Sequence, residues 1–244
     1  MNWFLNNRIV KSSAVFDLDK LKWINSQHLR ALPLDQVQNL VLDSLRTASL
    51  LHSEEEAVKH PNFAEFLVSA SKIAQRDMEL TIDAPVLISN CLNYAIEETL
   101  LSDPHVLEVL QQSDALKTII STLIADFEAG KLPVGKEDKF GDVWKAYVKQ
   151  LGGAVGLKGK GLFHPLRLAL TGRMSGPDVG DQLRLLWLSE GIVSGGSKIV
   201  SLKERMERLR TFDVLEALKA VQEREDEEAK KKMSSDTEPS AVVA

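Results

Sequence analysis

The chain has 244 residues, with 30 Lys+Arg against 35 Asp+Glu and a formal net charge of −5, a size that fits one or two domains. No apolar run approaches the roughly 18 to 20 residues that a membrane-spanning helix needs. Cys91 is the only cysteine, which excludes an intramolecular disulfide, and the five histidines show no zinc-ligand spacing. We therefore expect a soluble protein without a metal or thiol-redox site.

The charge is distributed unevenly along the chain. Residues 1–130 carry 10 Lys+Arg and 18 Asp+Glu, residues 131–210 carry 15 and 8, and residues 211–244 carry 5 and 9. A basic block inside an acidic protein is typical of a surface that binds a polyanion. An ordinary solvated surface remains the alternative explanation.

Apolar residues recur with helical spacing along most of the chain. The clearest stripes lie in residues 34–51, 63–74, 116–127 and 140–151. No alternating apolar and polar pattern of a strand occurs after about residue 16. The sequence therefore predicts an all-α fold.

Capping signals place the predicted helix ends. Ser53 with Glu56, and Ser201 with Glu204, have the spacing of capping boxes. Gly130 is predicted to end one helix, and the pair Gly152–Gly153 to end the next. The stretch 130–141 is predicted to join two helical bundles, and the charged, Ser/Pro-rich segment 221–244 to be a mobile tail after a short helical extension.

Motifs of catalysis are mostly absent from the sequence. The stretch 130–137 resembles a P-loop, but Glu137 replaces the Ser/Thr that would hold magnesium. The sequence KMSS at 232–235 lies in the low-complexity tail, and no Gly-x-Ser-x-Gly occurs. We predict no catalytic, cofactor-binding or metal-binding residue in this chain.

One segment, Lys158 to Arg173, has the features of an RNA-binding element. A Gly/Lys loop leads into a helix with Pro165 in its first turn, and that helix stops at Gly172. Loop lysines can follow a phosphate backbone, and an arginine can reach a base edge with its planar guanidinium. A basic loop before an amphipathic helix with no ligand is the alternative. Phe163 is interpreted as a core residue, with a stacking platform as the alternative.

Two stretches resemble the bacterial-type glutamyl-tRNA synthetases. KGKGLFHPLRLALTGRMSGPDV, from residue 158, is similar to the family's anticodon-binding pattern K-G-K-x-L-F-x-P-L-R-x-A-L-T-G-x-x-x-G-P-x-[LIV]. KSSAVFDLDKLKWINSQHLR, from residue 11, resembles K-S-x-A-x-F-D-x-x-K-L-x-W-[MI]-N-[GS]-x-[HY]-[LI]. The two matches occur in the family's order, and the resemblance spans about residues 5–215.

The resemblance implies the C-terminal half of such a synthetase. It divides the chain into the end of the stem-contact region (1–32), a first helical anticodon-binding subdomain (33–130), a second one (131–220) and the tail (221–244). In the family, a catalytic domain that uses ATP and Mg²⁺ precedes the first match, whereas only about ten residues precede it here. We therefore expect a chain that binds tRNA, reads the anticodon and is inactive as a ligase by itself.

The resemblance also implies roles for individual residues. Anticodon contacts are expected from Arg167, Gly176, Val179 and, with a looser alignment, Arg76. Contacts to the tRNA backbone are expected from Lys158, Lys160, Arg173, Lys145, Lys149 and Lys11.

The expected partner is a glutamate-accepting tRNA, with a separate or longer chain supplying the catalytic domain and no membrane. The expected location is the cytoplasm, or a plastid or mitochondrion if an N-terminal half with a transit peptide is missing. A non-catalytic paralogue that acts as a protein-interaction module is the alternative, and it predicts little affinity for tRNA.

Overall fold

The computed structural model describes residues 17–194 and 199–235 of the chain. Within these ranges the regular structure is helical, with no strand and one isolated bridge between Leu51 and Val193. The predicted all-α fold is confirmed. A short 3-10 helix, Thr81–Asp83, precedes α5. The α-helices are α1 Leu18–Ala31, α2 Leu34–Thr47, α3 Glu54–Lys59, α4 Phe63–Asp77, α5 Ala84–Leu92, α6 Ile96–Ser102, α7 Val106–Gln111, α8 Ser113–Glu128, α9 Phe140–Val155, α10 Lys160–Thr171, α11 Val179–Leu188, α12 Leu202–Arg210 and α13 Val214–Ser235.

The helices pack into two groups. In the first, α4 packs against α1, α2, α3 and α5, and α11 joins this group by packing against α4 and α5. In the second, α8 packs against α7, α10, α12 and α13. The helices α10 and α11 also contact each other, so they connect the groups.

The packing does not divide at the predicted boundary near residue 130. Helix α8 precedes this boundary but packs mainly with α10 and α12, which follow it. Helix α11 follows it but packs mainly with α4 and α5. Helices from both sides of residue 130 therefore build both groups.

Two predicted helix ends need correction. Helix α9 does not stop at Gly152–Gly153 but continues to Val155 and ends at Gly156, whose φ is 70°. Gly152 instead allows α9 and the side chain of Leu162 on α10 to approach closely, because a Cβ there would lie 2.8 Å from Cδ2 of Leu162. Helix α10 begins at Lys160, so Pro165 lies inside the helix rather than in its first turn.

The predicted mobile tail from residue 221 begins inside a helix. Helix α13 extends to Ser235, well beyond a short extension. Its last part is rich in Glu and Lys, which favour helix without needing a core, and Lys219 pairs with Glu223 one turn later, where the predicted tail begins. Residues 236–244 lie outside the described ranges.

A fully buried arginine, Arg205 on α12, connects three helices. Its guanidinium donates to the carbonyl oxygens of Leu170 at the end of α10 and of Leu92 and Asn93 at the end of α5, at 2.8, 2.9 and 3.0 Å. It also donates to the carbonyl of Val200 at 2.9 Å. Burial lowers the pKa of Arg205 to about 10, so the guanidinium is charged at neutral pH. It donates to carbonyl groups at helix ends, where no following turn supplies an N–H for them.

No helix in the described ranges combines the length and the apolar character that crossing a membrane requires.

Candidate nucleic-acid interface

Arg167 lies in the middle of α10, half-buried, with its guanidinium beside the turn that follows the helix. One terminal nitrogen, Nη1, is buried and has no hydrogen-bond partner among the described residues. Burial lowers the pKa of Arg167, and the carboxylate of Asp178 acts in the opposite direction. A buried donor without a partner is unfavourable, so the fold leaves this nitrogen without the acceptor that a buried donor normally has.

The turn after α10 holds Gly176 next to Arg167. Gly176 is exposed with φ at 120°, and a Cβ built there would lie 3.9 Å from Nη1 of Arg167. The turn ends at Asp178, whose carboxylate caps α11 by accepting from the backbone N–H of Gly180 at 2.8 Å and of Asp181 at 3.3 Å. Val179, the first residue of α11, is 7% exposed. Arg167 and the Gly176 backbone therefore form one surface, and Val179 lies mainly in the core beneath it.

Arg76, in the last turn of α4, lies near the same surface. Its positive charge contributes to lowering the pKa of Arg167. Burial raises the pKa of Asp181, and the neighbouring cations Arg76, Lys72 and Lys145 lower it. The structure thus brings α4, α10 and the start of α11 together around Arg167, and α9 reaches the neighbouring Asp181 through Lys145. Lys72 was not predicted, although it lies one turn before Arg76 on the same helix.

A groove opens beside this surface, between α9 and the first turns of α10 and α11, and has a volume of about 1220 Å³. We call it the α9–α11 groove. Its apolar lining consists of Phe140, Trp144, Val148, Leu157, Leu162 and Phe163. Its charged lining consists of Lys139, Lys145, Lys149, Lys158, Arg184, Glu65, Asp142, Asp178 and Asp181.

The groove collects three of the lysines predicted to contact the tRNA backbone. Lys145, Lys149 and Lys158 line it, and all three are exposed. Within residues 17–194 and 199–235, none of the three forms an ion pair. Arg184 differs, because it pairs with Glu65 of α4 and donates to the carbonyl of Gly135.

The remaining predicted backbone contacts lie elsewhere. Lys160 is exposed at the first residue of α10. Arg173 donates through Nη2 to Oδ1 of Asn90 and of Asn93, at 3.2 Å each, so its guanidinium is directed at the end of α5. Lys11 lies outside the described residues.

Phe163 is not the core residue that the sequence suggested. Its side chain is 54% exposed and lines the groove, whereas its neighbours Leu162 and Leu166 are 5% and 1% exposed. The helical register explains the difference. Positions 162, 166, 169 and 170 of α10 face the core, and position 163 lies outside that face. Phenylalanine is usually a core residue, so the residue type alone led to the wrong interpretation. The helical register of the apolar positions in α10 would have placed Phe163 outside the core.

The stretch that resembles a P-loop does not present its amides as a phosphate cradle. The backbone N–H groups of Val134 and Gly135 donate to the carboxylate of Glu137, at 3.1 and 3.0 Å. These donors are already bound to an anion of the protein itself. In the part of the chain that the structure describes, no group of three His, Cys, Asp or Glu side chains is placed to hold a metal ion.

Comparison with protein families adds an independent finding. Residues 93–186 match the family model described as an anticodon binding domain. This range contains α6 to α10 and most of α11, and with them Arg167, Gly176 and most of the α9–α11 groove.

Curated glutamate–tRNA ligases are similar to this chain over about three quarters of its length. The glutamate–tRNA ligase of Bacillus pumilus is 31% identical over 185 residues, which cover 74% of this chain and 34% of the relative. That of Bacillus subtilis is 30% identical over 181 residues, with the same two shares of 74% and 34%. The chain thus spans about a third of the length of the curated relatives it matches.

A solved structure supports the fold. The glutamate–tRNA synthetase of Elizabethkingia anophelis aligns with a TM-score of 0.51 at 17% identity, over 84% of this chain and 34% of that chain. At this identity the alignment concerns the fold alone, and that fold is the helical one described above. The resemblance predicted from the two sequence stretches is confirmed.

Proposed function

We propose that this chain, which carries an anticodon-binding domain related to that of the glutamate–tRNA ligases, binds a glutamate-accepting tRNA and reads its anticodon. The observation that carries the proposal is the half-buried Arg167 with an unpartnered Nη1 beside the Gly176 turn. Sequence-specific recognition of RNA targets unpaired bases, which are hydrogen-bonded on their edges. An arginine fork that lacks an internal acceptor is suited to such an edge.

In this proposal the cations have two different tasks. Arg167, with Arg76 close by, contacts bases, and the Gly176 backbone completes that contact without a side chain. The exposed Lys145, Lys149, Lys158 and Lys160 contact phosphates, which supplies affinity but no sequence information.

The chain serves recognition rather than chemistry. The relatives are about three times as long as the matched segment, and the family resemblance implies that the ATP- and Mg²⁺-dependent ligation of glutamate to tRNA belongs to the remaining two thirds of their length. A longer form of this protein, or a separate chain, supplies that part.

The test is fluorescence anisotropy of the purified chain with a glutamate tRNA and with the same tRNA carrying a changed anticodon, at two salt concentrations. Arg167→Ala is expected to weaken binding of the cognate tRNA by about 1 to 3 kcal/mol and binding of the changed tRNA by less. Lys160→Ala is expected to weaken both equally and to reduce the salt slope by about 1.

The matched control is Arg210→Ala, which removes the same charge from an exposed arginine of α12 that does not line the groove. It is expected to change neither binding curve. If Arg167→Ala and Lys160→Ala behave alike, Arg167 does not read a base. If the wild-type chain binds neither tRNA, the proposed function is wrong, and a truncated product or a protein-interaction module is the alternative.

A further inference from the structure

The side chain of Phe163 is exposed at a position where its helix offers it no packing. It lies in the first turn of α10, is 54% exposed and lines the α9–α11 groove. A phenylalanine ring that remains in water gives up the stabilisation that burial would provide. Its place on the wall of a concave surface suggests a role for the ring in binding.

The groove surrounds this ring with groups that suit a nucleotide. Trp144 and Val148 of α9 line the groove, as do the ammonium groups of Lys145, Lys149 and Lys158, which form no ion pair among the described residues. A flat aromatic face can stack on a base, and lysines can bind the phosphates on either side of that base. The groove also contains Asp142, Asp178 and Asp181, whose negative charges repel phosphates and partly offset the attraction of the lysines.

The groove is continuous with the surface around Arg167. Asp178, Asp181 and Phe163 line the groove, and Phe163 and Arg167 lie four residues apart on α10, which places them one turn apart on the same side of that helix. A strand of RNA whose bases reach Arg167 therefore has its neighbouring nucleotide at the entrance of the groove.

We infer that an unpaired base flanking the anticodon triplet enters the α9–α11 groove and stacks on Phe163, while its phosphates contact Lys145, Lys149 and Lys158. This inference rests on the proposed function and assigns a second RNA site to it. Stacking on a phenyl ring has little preference among the four bases. The groove therefore adds affinity for the loop without reading its sequence.

The experiment uses the full chain and a set of glutamate tRNAs, each with the fluorescent base 2-aminopurine at one unpaired anticodon-loop position outside the triplet. Stacking quenches this fluorophore. For the wild-type chain, binding is expected to quench it at one position. Phe163→Leu is expected to abolish that quenching and to raise the Kd about five- to fiftyfold for cognate and anticodon-changed tRNA alike. Phe163→Tyr keeps an aromatic face and is expected to quench the fluorophore and to bind tRNA as the wild type does.

The control is Leu215→Ala, which removes an equally exposed apolar side chain, also 54% exposed, from α13. It should leave binding and quenching unchanged. If Phe163→Leu binds and quenches like the wild type while Arg167→Ala loses anticodon discrimination, the stacking site is wrong and the proposed function stands. If the wild-type chain has no affinity for tRNA, the proposed function fails, and the stacking site fails with it.

Discussion

Arg167 and Arg173 lie six residues apart, and each has a buried guanidinium nitrogen without a partner, Nη1 in Arg167 and Nε in Arg173. Their surroundings give them different tasks. The guanidinium of Arg173 is bound to Asn90 and Asn93 of α5 and its adjoining turn, whereas no side-chain hydrogen bond of this kind holds that of Arg167 among the described residues. This geometry favours a positioning role for Arg173 over the phosphate contact that the family pattern implies.

We expect Arg173→Ala to reduce discrimination between the two anticodons and to leave the salt slope of binding unchanged. The reason is that the substitution releases the turn carrying Gly176 from α5 but removes no phosphate contact. Binding titrations against salt, with both tRNAs, measure the two effects separately.

Lys149→Ala is the comparison for that experiment, because Lys149 is an exposed groove cation with no ion pair among the described residues. It should lower the salt slope by about 1 and leave discrimination intact. If the salt slope falls equally in the Arg173→Ala and Lys149→Ala variants, Arg173 contacts a phosphate.

At the scale of the element, the close approach of α9 and α11 shapes the groove. A Cβ at Gly180 would lie 2.9 Å from Cγ of Trp144, and nearer still to Cδ1. The indole therefore lies directly on the α11 backbone. Trp144 also stacks on Tyr147, with ring centroids 5.8 Å apart, so the indole cannot move without disturbing its neighbour.

We expect Gly180→Ala to lower the free energy of unfolding by about 1 to 3 kcal/mol, because the added methyl group overpacks this contact. Urea denaturation followed by circular dichroism measures the change.

Gly153→Ala is the matched control, since a Cβ at Gly153 in α9 would meet nothing within 4 Å. Its helical position favours alanine by about 0.5 to 1 kcal/mol, so the control should be slightly more stable than the wild type. An unchanged stability of Gly180→Ala would mean that α9 shifts at little cost.

Local signals predicted some helix ends and missed others. Gly172 ends α10 as expected, with φ at 67°, and Ser201 caps α12 by accepting from the N–H of Glu204. Gly152 looked like a second stop, yet its role is close packing against Leu162. A glycine read from sequence alone does not distinguish a left-handed turn from a contact with a distant residue.

At the scale of the whole molecule, both tyrosines of the chain lie at contacts between helices. The hydroxyl of Tyr94 donates to the carbonyl of Ala169 on α10 at 2.9 Å, and that of Tyr147 on α9 donates to Asp126 on α8 at 3.0 Å. Burial raises the pKa of both phenols above their ordinary value of 10.0, and the hydrogen bond to Asp126 raises that of Tyr147 further.

The stability of the fold should therefore fall at alkaline pH. A phenol whose pKa is raised in the folded state contributes stability that is complete below pH 10 and is lost as the pH rises above it. For two such groups we expect a loss of about 2 to 3 kcal/mol by pH 11, measured by urea denaturation at a series of pH values.

Absorbance at 295 nm, which reports ionised tyrosine, tests whether Tyr94 and Tyr147 cause this loss of stability. The absorbance should rise only at pH values where the helical signal in circular dichroism is also lost. The double variant Tyr94→Phe, Tyr147→Phe should show a flatter dependence on pH. Tyrosinate that forms near pH 10 while the helical signal persists would contradict the expected protection.

The division of the chain into bundles was the least predictable feature. The stripe of apolar residues at 116–127 indicated that α8 has a buried face, but periodicity does not identify the helix that covers such a face, for α8 or for α11. Both helices find their main partners across the predicted boundary at residue 130. The surface around Arg167 likewise combines α4 with α10 and α11, which lie about 90 residues apart in sequence, and only the resemblance to a family suggested that combination.

The buried guanidinium of Arg205 also bears on how the chain is made. It bonds the carbonyls of Cys91, Leu92 and Asn93, which precede it by 114, 113 and 112 positions in the sequence. During synthesis, the end of α5 leaves the ribosome long before the group that bonds it, at about 5 to 20 residues per second. The first helices can collapse in that interval, but until α12 emerges these carbonyls can bond only to water or to other groups of the chain. The contact of the α5 and α10 ends with the guanidinium on α12 is therefore made late in synthesis, and α13, which packs against α6, α7 and α8, follows later still.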